Sequence, residues 1–102
     1  MIVVSVMYPK TEQSTFDFDY YLHKHVPLAK ARFAECGLMD VRLIRGSAMM
    51  DGAAPIYTLI GDMVFPSLQH MQDAMAKHGA EIIADIPNYT NVQPIFQISE
   101  SL

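Results

Sequence analysis

The chain has 102 residues, a formal net charge of −4, 51% hydrophobic residues and 18% charged residues. That length supports one domain, 1–102, with its own core, and the composition is that of a folded globular protein rather than a disordered one. The basic residues are scattered between Lys10 and Lys77, so the chain lacks the concentrated positive charge that nucleic acids and anionic membranes require.

The opening run "MIVVSVMYP" has no basic flank and is too short for a signal peptide or a membrane span. Its β-branched and aromatic residues predict a first strand over 2–8, and 9–15 reads as a turn. From Asp17 to Cys36 the pattern becomes helical, with Phe18, Leu22, Val26, Ala29 and Phe33 at three- and four-residue steps. Asp17 is placed to cap that helix, and Gly37 to end it. Residues 39–46 alternate as a second strand, 47–55 form a loop, and 56–65 a third strand that Pro66 closes. Ser67 caps a second helix over 68–85, with Leu68, Met71, Met75, His78 and Ile82 on one stripe. Residues 86–91 break it, and 92–99 supply a fourth strand, in which Pro94 marks an edge or bulge.

The order βαββαβ predicts a ferredoxin-like α+β fold: an antiparallel four-stranded sheet with both helices on one face. The strands are apolar on both parities. Ile60 and Val64 oppose Leu59, Met63 and Phe65, and Val3 and Met7 oppose Ile2, Val4 and Val6. A second apolar face needs a cover, and a second copy of the chain supplies one, so a homodimer packed through the sheet face is expected. Cys36 is the only cysteine; no intrachain disulfide can form, which suits a reducing compartment, and a cytoplasmic location is the default.

Two of the four histidines lie in "YYLHKHVPL", residues 20–28. On a helix His23 and His25 diverge by roughly 200°, so they cannot share a metal ion, and no Cys pair or four-residue His spacing supplies one elsewhere. No metal and no cofactor is therefore expected. Tyr21 and His25, four apart, stack on one helical face. His23 points toward solvent. Pro27 has no N–H to offer the carbonyl of residue 23, so the helix kinks or restarts there. A half-buried imidazole beside a tyrosine hydroxyl suits proton transfer to a small molecule; a satisfied helix-surface histidine is the plainer alternative. His78 interrupts an apolar stripe, either bonded to a backbone carbonyl or facing His25 across the groove between the helices. Asp62, a carboxylate inside an apolar strand, either ends the buried part of that strand or faces a pocket.

With those residues assembled, the sequence resembles the EthD-like family of the dimeric α+β barrel superfamily. The resemblance runs nearly end to end. It is carried by "FDFDYYLHKHVPL" (16–28), "IGDMVF" (60–65), "KHGAEIIADIPNYTN" (77–91) and "PIFQISE" (94–100). It implies a sheet that closes a barrel with its twin, and a small pocket between sheet and helices where Tyr21, His25 and His78 match the family's polar positions. Asn88 and Tyr89 match the motif after the second helix and are expected to shape one wall. The family's name refers to ethyl tert-butyl ether degradation beside a cytochrome monooxygenase system, an auxiliary place in small-molecule catabolism. Some members carry an oxidoreductase label, which no residue of this sequence supports chemically. The expectation is a metal-free acid–base enzyme, of isomerase, lyase or oxidoreductase type. It would act on a small apolar carbonyl or lactone-like compound through His25, Tyr21 and His78, with Asn88, Tyr89 and Asp62 binding substrate. The alternative is an accessory protein that binds such a molecule without turning it over.

Overall fold

The β-branched run near the start of the chain becomes the central strand β1, Ile2–Pro9, in a computed structural model that describes residues 1–102. Strand β2 is Asp40–Arg45, β3 is Tyr57–Phe65 and β4 is Ile95–Glu100. They form one antiparallel sheet in the order β2-β3-β1-β4, with Val4 opposite both Met63 and Ile98. Helices α1 (18–34) and α2 (68–85) cross one face, giving the expected ferredoxin-like α+β layer pair. The last strand starts later than the predicted residue 92. Pro94 has no N–H for the ladder, and Val92 instead donates to the Thr90 hydroxyl at 3.3 Å.

Asp17 accepts from the Tyr20 N–H at 3.1 Å to open α1, and Ser67 accepts from the His70 N–H at 3.2 Å to open α2. Gly37, at φ 88°, ends α1, and the Leu38 N–H reaches back to the Phe33 carbonyl at 3.2 Å. Both helices carry a π turn, at Tyr21–His25 in α1 and at Met75–Gly79 in α2. In α1 the cause is visible two residues on. Pro27 cannot bond the His23 carbonyl, and the ladder widens just ahead of it, with the Val26 N–H bonded to the Tyr21 carbonyl.

Each π turn inserts a residue and re-aims one face of its helix. Tyr21 and His25 are both turned inward and buried, while Leu22, expected on the core stripe, is 46% exposed. In α2 the inward positions go to Met71, Ala74, Gly79 and Ile82, and Leu68 turns out. The core between sheet and helices divides in two. One cluster is aliphatic and phenylalanine-rich, built on Ile2, Val4, Phe33, Phe65, Met71 and Ile82. The other is tyrosine-rich, built on Tyr8, Tyr21, Val26, Leu59, Ile86 and Tyr89.

On the helix-free face, Ile44, Ile60, Met7 and Ile95 stand in one cross-strand row, and Val64 and Val3 occupy another. Between them runs a polar row of Arg42, Asp62, Ser5 and Gln97, in which the Ser5 hydroxyl donates to Asp62 Oδ1 at 2.6 Å. Phe65 is fully buried against Phe33, with ring centroids 6.1 Å apart. Phe65→Ala is expected to lower the free energy of unfolding by about 3–5 kcal/mol, read by urea denaturation, because the rigid sheet cannot collapse into the space left.

Candidate functional site

A cavity of about 70 Å³ lies between the sheet and the helices, where the two halves of the core meet. Its wall is mostly apolar and includes Val6, Phe33, Leu43, Met63, Met75 and Ile82. Only Tyr8, Tyr21 and His25 bring hydrogen-bonding side chains to it. Ile83 and Phe96, both about half exposed, line it and also an adjoining surface groove that runs past Pro87 and Pro94.

His25 is 6% exposed, so both ring nitrogens need partners. Nδ1 lies 2.9 Å from Asp85 Oδ2 at the end of α2, and Nε2 lies 3.2 Å from the Tyr89 hydroxyl. The Tyr89 hydroxyl is in turn 2.6 Å from that of Tyr8 on β1. A four-member chain, Asp85–His25–Tyr89–Tyr8, therefore runs from the helix end to the cavity wall. Tyr21 stacks on the imidazole, with ring centroids 5.5 Å apart and planes 18° apart. The pairing of residues 13–17 with 89–91 holds Tyr89 in place. The Asp17 N–H donates to the Tyr89 carbonyl at 2.7 Å, and the Thr90 hydroxyl to the Thr15 carbonyl at 2.7 Å.

Burial alone would push the Asp85 carboxyl up. Hydrogen bonds from Tyr20 at 2.6 Å, Asn88 at 2.9 Å and His25 at 2.9 Å outweigh it and hold the group below its usual value. Asp85 is thus ionised near neutrality and can only accept, which places the proton on Nδ1 of neutral His25. Burial moves the phenols the other way. Tyr8 is pushed up to about 12, the Tyr89 hydrogen bond opposing only in part. Tyr21 and Tyr89 are pushed further up, again mainly by burial. All three hydroxyls keep their protons near neutrality, so none of them is a standing phenolate base.

The Tyr21 hydroxyl sits over Gly61 of β3, 3.0 Å from where a Cβ would lie, and bonds to no protein group. Gly61 is the inward position of β3 opposite Leu43, and its missing side chain makes the room the phenol occupies.

The structure brings Tyr21, His25 and Tyr89 together, but not His78. The π turn of α2 gives the inward positions to Met75 and Gly79, and His78 faces the end of α1, donating to Glu35 Oε2 at 3.0 Å. That hydrogen bond, followed by the one from Lys77, holds the Glu35 carboxyl below the usual range. Asp62 stands on the helix-free face against Ser5, since its parity along β3 is opposite to that of Gly61 and Met63, so it does not line the cavity. Asn88 touches Asp85 and the Tyr20 hydroxyl, one layer behind the wall. His23 is exposed and bonds the Asp19 carbonyl. No group of three or more His, Cys, Asp or Glu converges as metal ligands would.

Sequence reasoning missed Tyr8, Tyr20 and Asp85. Tyr8 shares the parity of Ile2, Val4 and Val6, so its inward direction was legible. Asp85 carried a fainter signal: a carboxylate in the last turn of a helix opposes the dipole and needs compensating donors.

Gly61→Ala is expected to cost about 1–3 kcal/mol by overpacking against the Tyr21 oxygen. Tyr21→Phe in that background should restore part of the loss, as a double-mutant cycle in urea checks. The depressed Asp85 carboxyl contributes stability above its usual value of 3.8 that is lost as pH falls through its lower folded value. The stability difference between wild type and Asp85→Asn should therefore be full at pH ~6 and shrink below pH ~4, read by denaturation at each pH.

No family model matches the chain, and no curated protein sequence does. Solved structures do. An EthD-like protein from Ralstonia eutropha JMP134 superposes with a TM-score of 0.89 at 40% identity, covering 97% of this chain and 89% of that one. An ethyl tert-butyl ether degradation (EthD) family protein from Bacillus halodurans C-125 gives a TM-score of 0.80 at 22% identity, covering 100% and 99%. The second shows a shared fold. The first, at its identity and coverage, shows more: the chain belongs to the EthD-like family.

Proposed function

We propose that this protein acts in small-molecule catabolism as a metal-free acid–base enzyme, of isomerase, lyase or oxidoreductase type. The substrate is a compact apolar carbonyl or lactone-like compound. The observation that carries this reading is the chain Asp85–His25–Tyr89–Tyr8, which ends on the wall of an otherwise apolar cavity. His25 is the imidazole of that chain, the side chain that can take up a proton at one ring nitrogen while the other stays bonded to Asp85. Asp85 orients the ring and stabilises its protonated form. Tyr21, with a hydroxyl not used by the protein, donates a hydrogen bond to the substrate oxygen. Asn88 supports Asp85, and Tyr89 carries the proton between imidazole and cavity.

Size limits the substrate. The cavity's 70 Å³ is well below the ~150 Å³ that accepts benzene in an engineered apolar cavity. An aromatic compound would have to displace Met63 or Met75, whose flexible thioethers make them the movable walls.

A second reading is an accessory protein that binds the same compound without turnover. It is favoured by the protonated state of all three phenols, which leaves the cavity without a strong base beyond His25. The two readings separate on exchange of protons α to a carbonyl. Small ketones and lactones incubated with the protein in D₂O should exchange those protons faster than in buffer, followed by NMR. His25→Gln should lower that acceleration about 100-fold or more while ligand affinity stays within about tenfold. Unchanged exchange in the variant would sink the acid–base role; binding with no exchange in wild type would favour the accessory reading.

The protein is also proposed to form a homodimer through its helix-free sheet face. Support comes from the row of Ile44, Ile60, Met7 and Ile95, in which Ile44 is 42% and Ile95 49% exposed in the single chain. Sedimentation at micromolar concentration should give twice the 11.5 kDa of one chain; a monomer there would overturn the dimer. No helix of the chain is long and apolar enough to cross a membrane.

A further inference from the structure

The hydroxyl chain has a direction, and the charge on His25 sets it. With His25 neutral, Nδ1–H donates to the ionised Asp85, 2.9 Å away, so Nε2 must accept from the Tyr89 hydroxyl at 3.2 Å. The Tyr89 oxygen then accepts from Tyr8 at 2.6 Å, and the Tyr8 oxygen, on a residue that lines the cavity, is left as an acceptor. With His25 protonated, Nε2–H donates to Tyr89. The Tyr89 proton must then turn to Tyr8, because a donor buried at 3% exposure is costly to leave unpaired. Tyr8 is left to donate into the cavity.

We infer that protonation of His25 reverses the hydrogen-bond polarity of the Tyr89–Tyr8 pair and so switches the ligand class the cavity prefers. The preference changes from a hydroxyl compound, which both donates and accepts, to a carbonyl compound, which only accepts. Tyr21 donates in both states, so the ligand oxygen meets a donor and an acceptor when His25 is neutral, and two donors when it is charged. A proton entering at His25 can leave at Tyr8 by one step per link, each hydroxyl keeping one proton and the imidazolium becoming neutral. The ligand oxygen receives that proton. The inference rests on the acid–base reading of the same site.

The groups that face His25 leave no other source for the switch. Tyr21 stacks on it from its own helix, Asp85 and Tyr89 reach it from the end of α2, and Tyr8 touches Tyr89 from β1. Tyr20 and Asn88 act on it only through Asp85, whose ion-pair partner is His25.

Tyrosine labelled with ¹³C at Cζ tests this in the unliganded protein. The Tyr8 Cζ resonance should move with the midpoint of the His25 ring ¹⁵N titration in wild type, and should not follow it in Tyr89→Phe. The second arm separates relay from a through-space effect of charge. A Tyr8 signal that is static across the His25 titration, or that still follows it in Tyr89→Phe, would overturn the inference. Cyclobutanone and cyclobutanol then report the ligand preference by NMR titration. Their affinity ratio should shift about fivefold or more toward the ketone on protonation of His25, and stay constant with pH in Tyr89→Phe. A pH-independent ratio in wild type would overturn the ligand switch. Neither measurement needs turnover: a switch without α-proton exchange would retire the acid–base enzyme and keep the switch, and the converse would retire the switch alone.

Discussion

A buried imidazole with both nitrogens engaged ties this protein's two layers together. His25 projects from α1, Asp85 and Tyr89 come from the end of α2 and the turn beyond it, and Tyr8 comes from the central strand. An unpaired polar atom at that depth would cost about as much as several ordinary surface contacts contribute. The positions of these three segments are therefore coupled: moving one leaves a donor or acceptor without a partner. The apolar layer interface holds the helices on the sheet, but burial is non-directional. The polar chain is what gives the helix ends a single register.

Much of the local irregularity follows from the same demand. An uninterrupted α-helix through residue 27 would leave the His23 carbonyl without a partner, since Pro27 has no N–H. The π turn at Tyr21–His25 lies just ahead of that break, and both Tyr21 and His25 are turned inward. The matching turn at Met75–Gly79 moves His78 out to Glu35 and places small or flexible residues over the cavity. The dry half of the core is filled by Phe33 and Phe65, and the hydroxylated half cannot close as tightly, because phenols require hydrogen-bond partners as well as volume. The cavity lies at that junction. A site with few polar groups in an apolar wall, reached past the exposed Phe96 and Ile83, has the usual form of a small-ligand pocket.

The fold was almost wholly legible. The β-branched and aromatic run in 2–8, the alternation in 39–46, the helical periods after Asp17 and Ser67, and the breaks at Gly37 and Pro66 are local signals, and each matches an observed boundary to within a few residues. The candidate site was half legible. Tyr21 and His25 follow from four-residue spacing, and Tyr89 from the family motif. His78 and Asp62 do not reach the cavity. An ideal helix of about 100° per residue placed His78 on the inner stripe, and one inserted residue was enough to rotate it away. Asp62 was undecidable from β3 alone, since both faces of that strand are apolar and neither parity announces itself as inner.

The sequence by itself determined the order of elements, the helix caps, the doubled apolar faces of the sheet and the pairing of Tyr21 with His25. All of these depend on residues a few positions apart, where covalent geometry dictates the spacing. Tertiary structure alone decided that Asp85 holds His25, that Tyr89 and Tyr8 continue the chain, and that Gly61 makes room for Tyr21. Those contacts join residues from 40 to 81 positions apart. Their geometry depends on the turn-by-turn rotation of two helices and on the sheet beneath them. No local rule carries that information, because a single π turn changes which side chains meet.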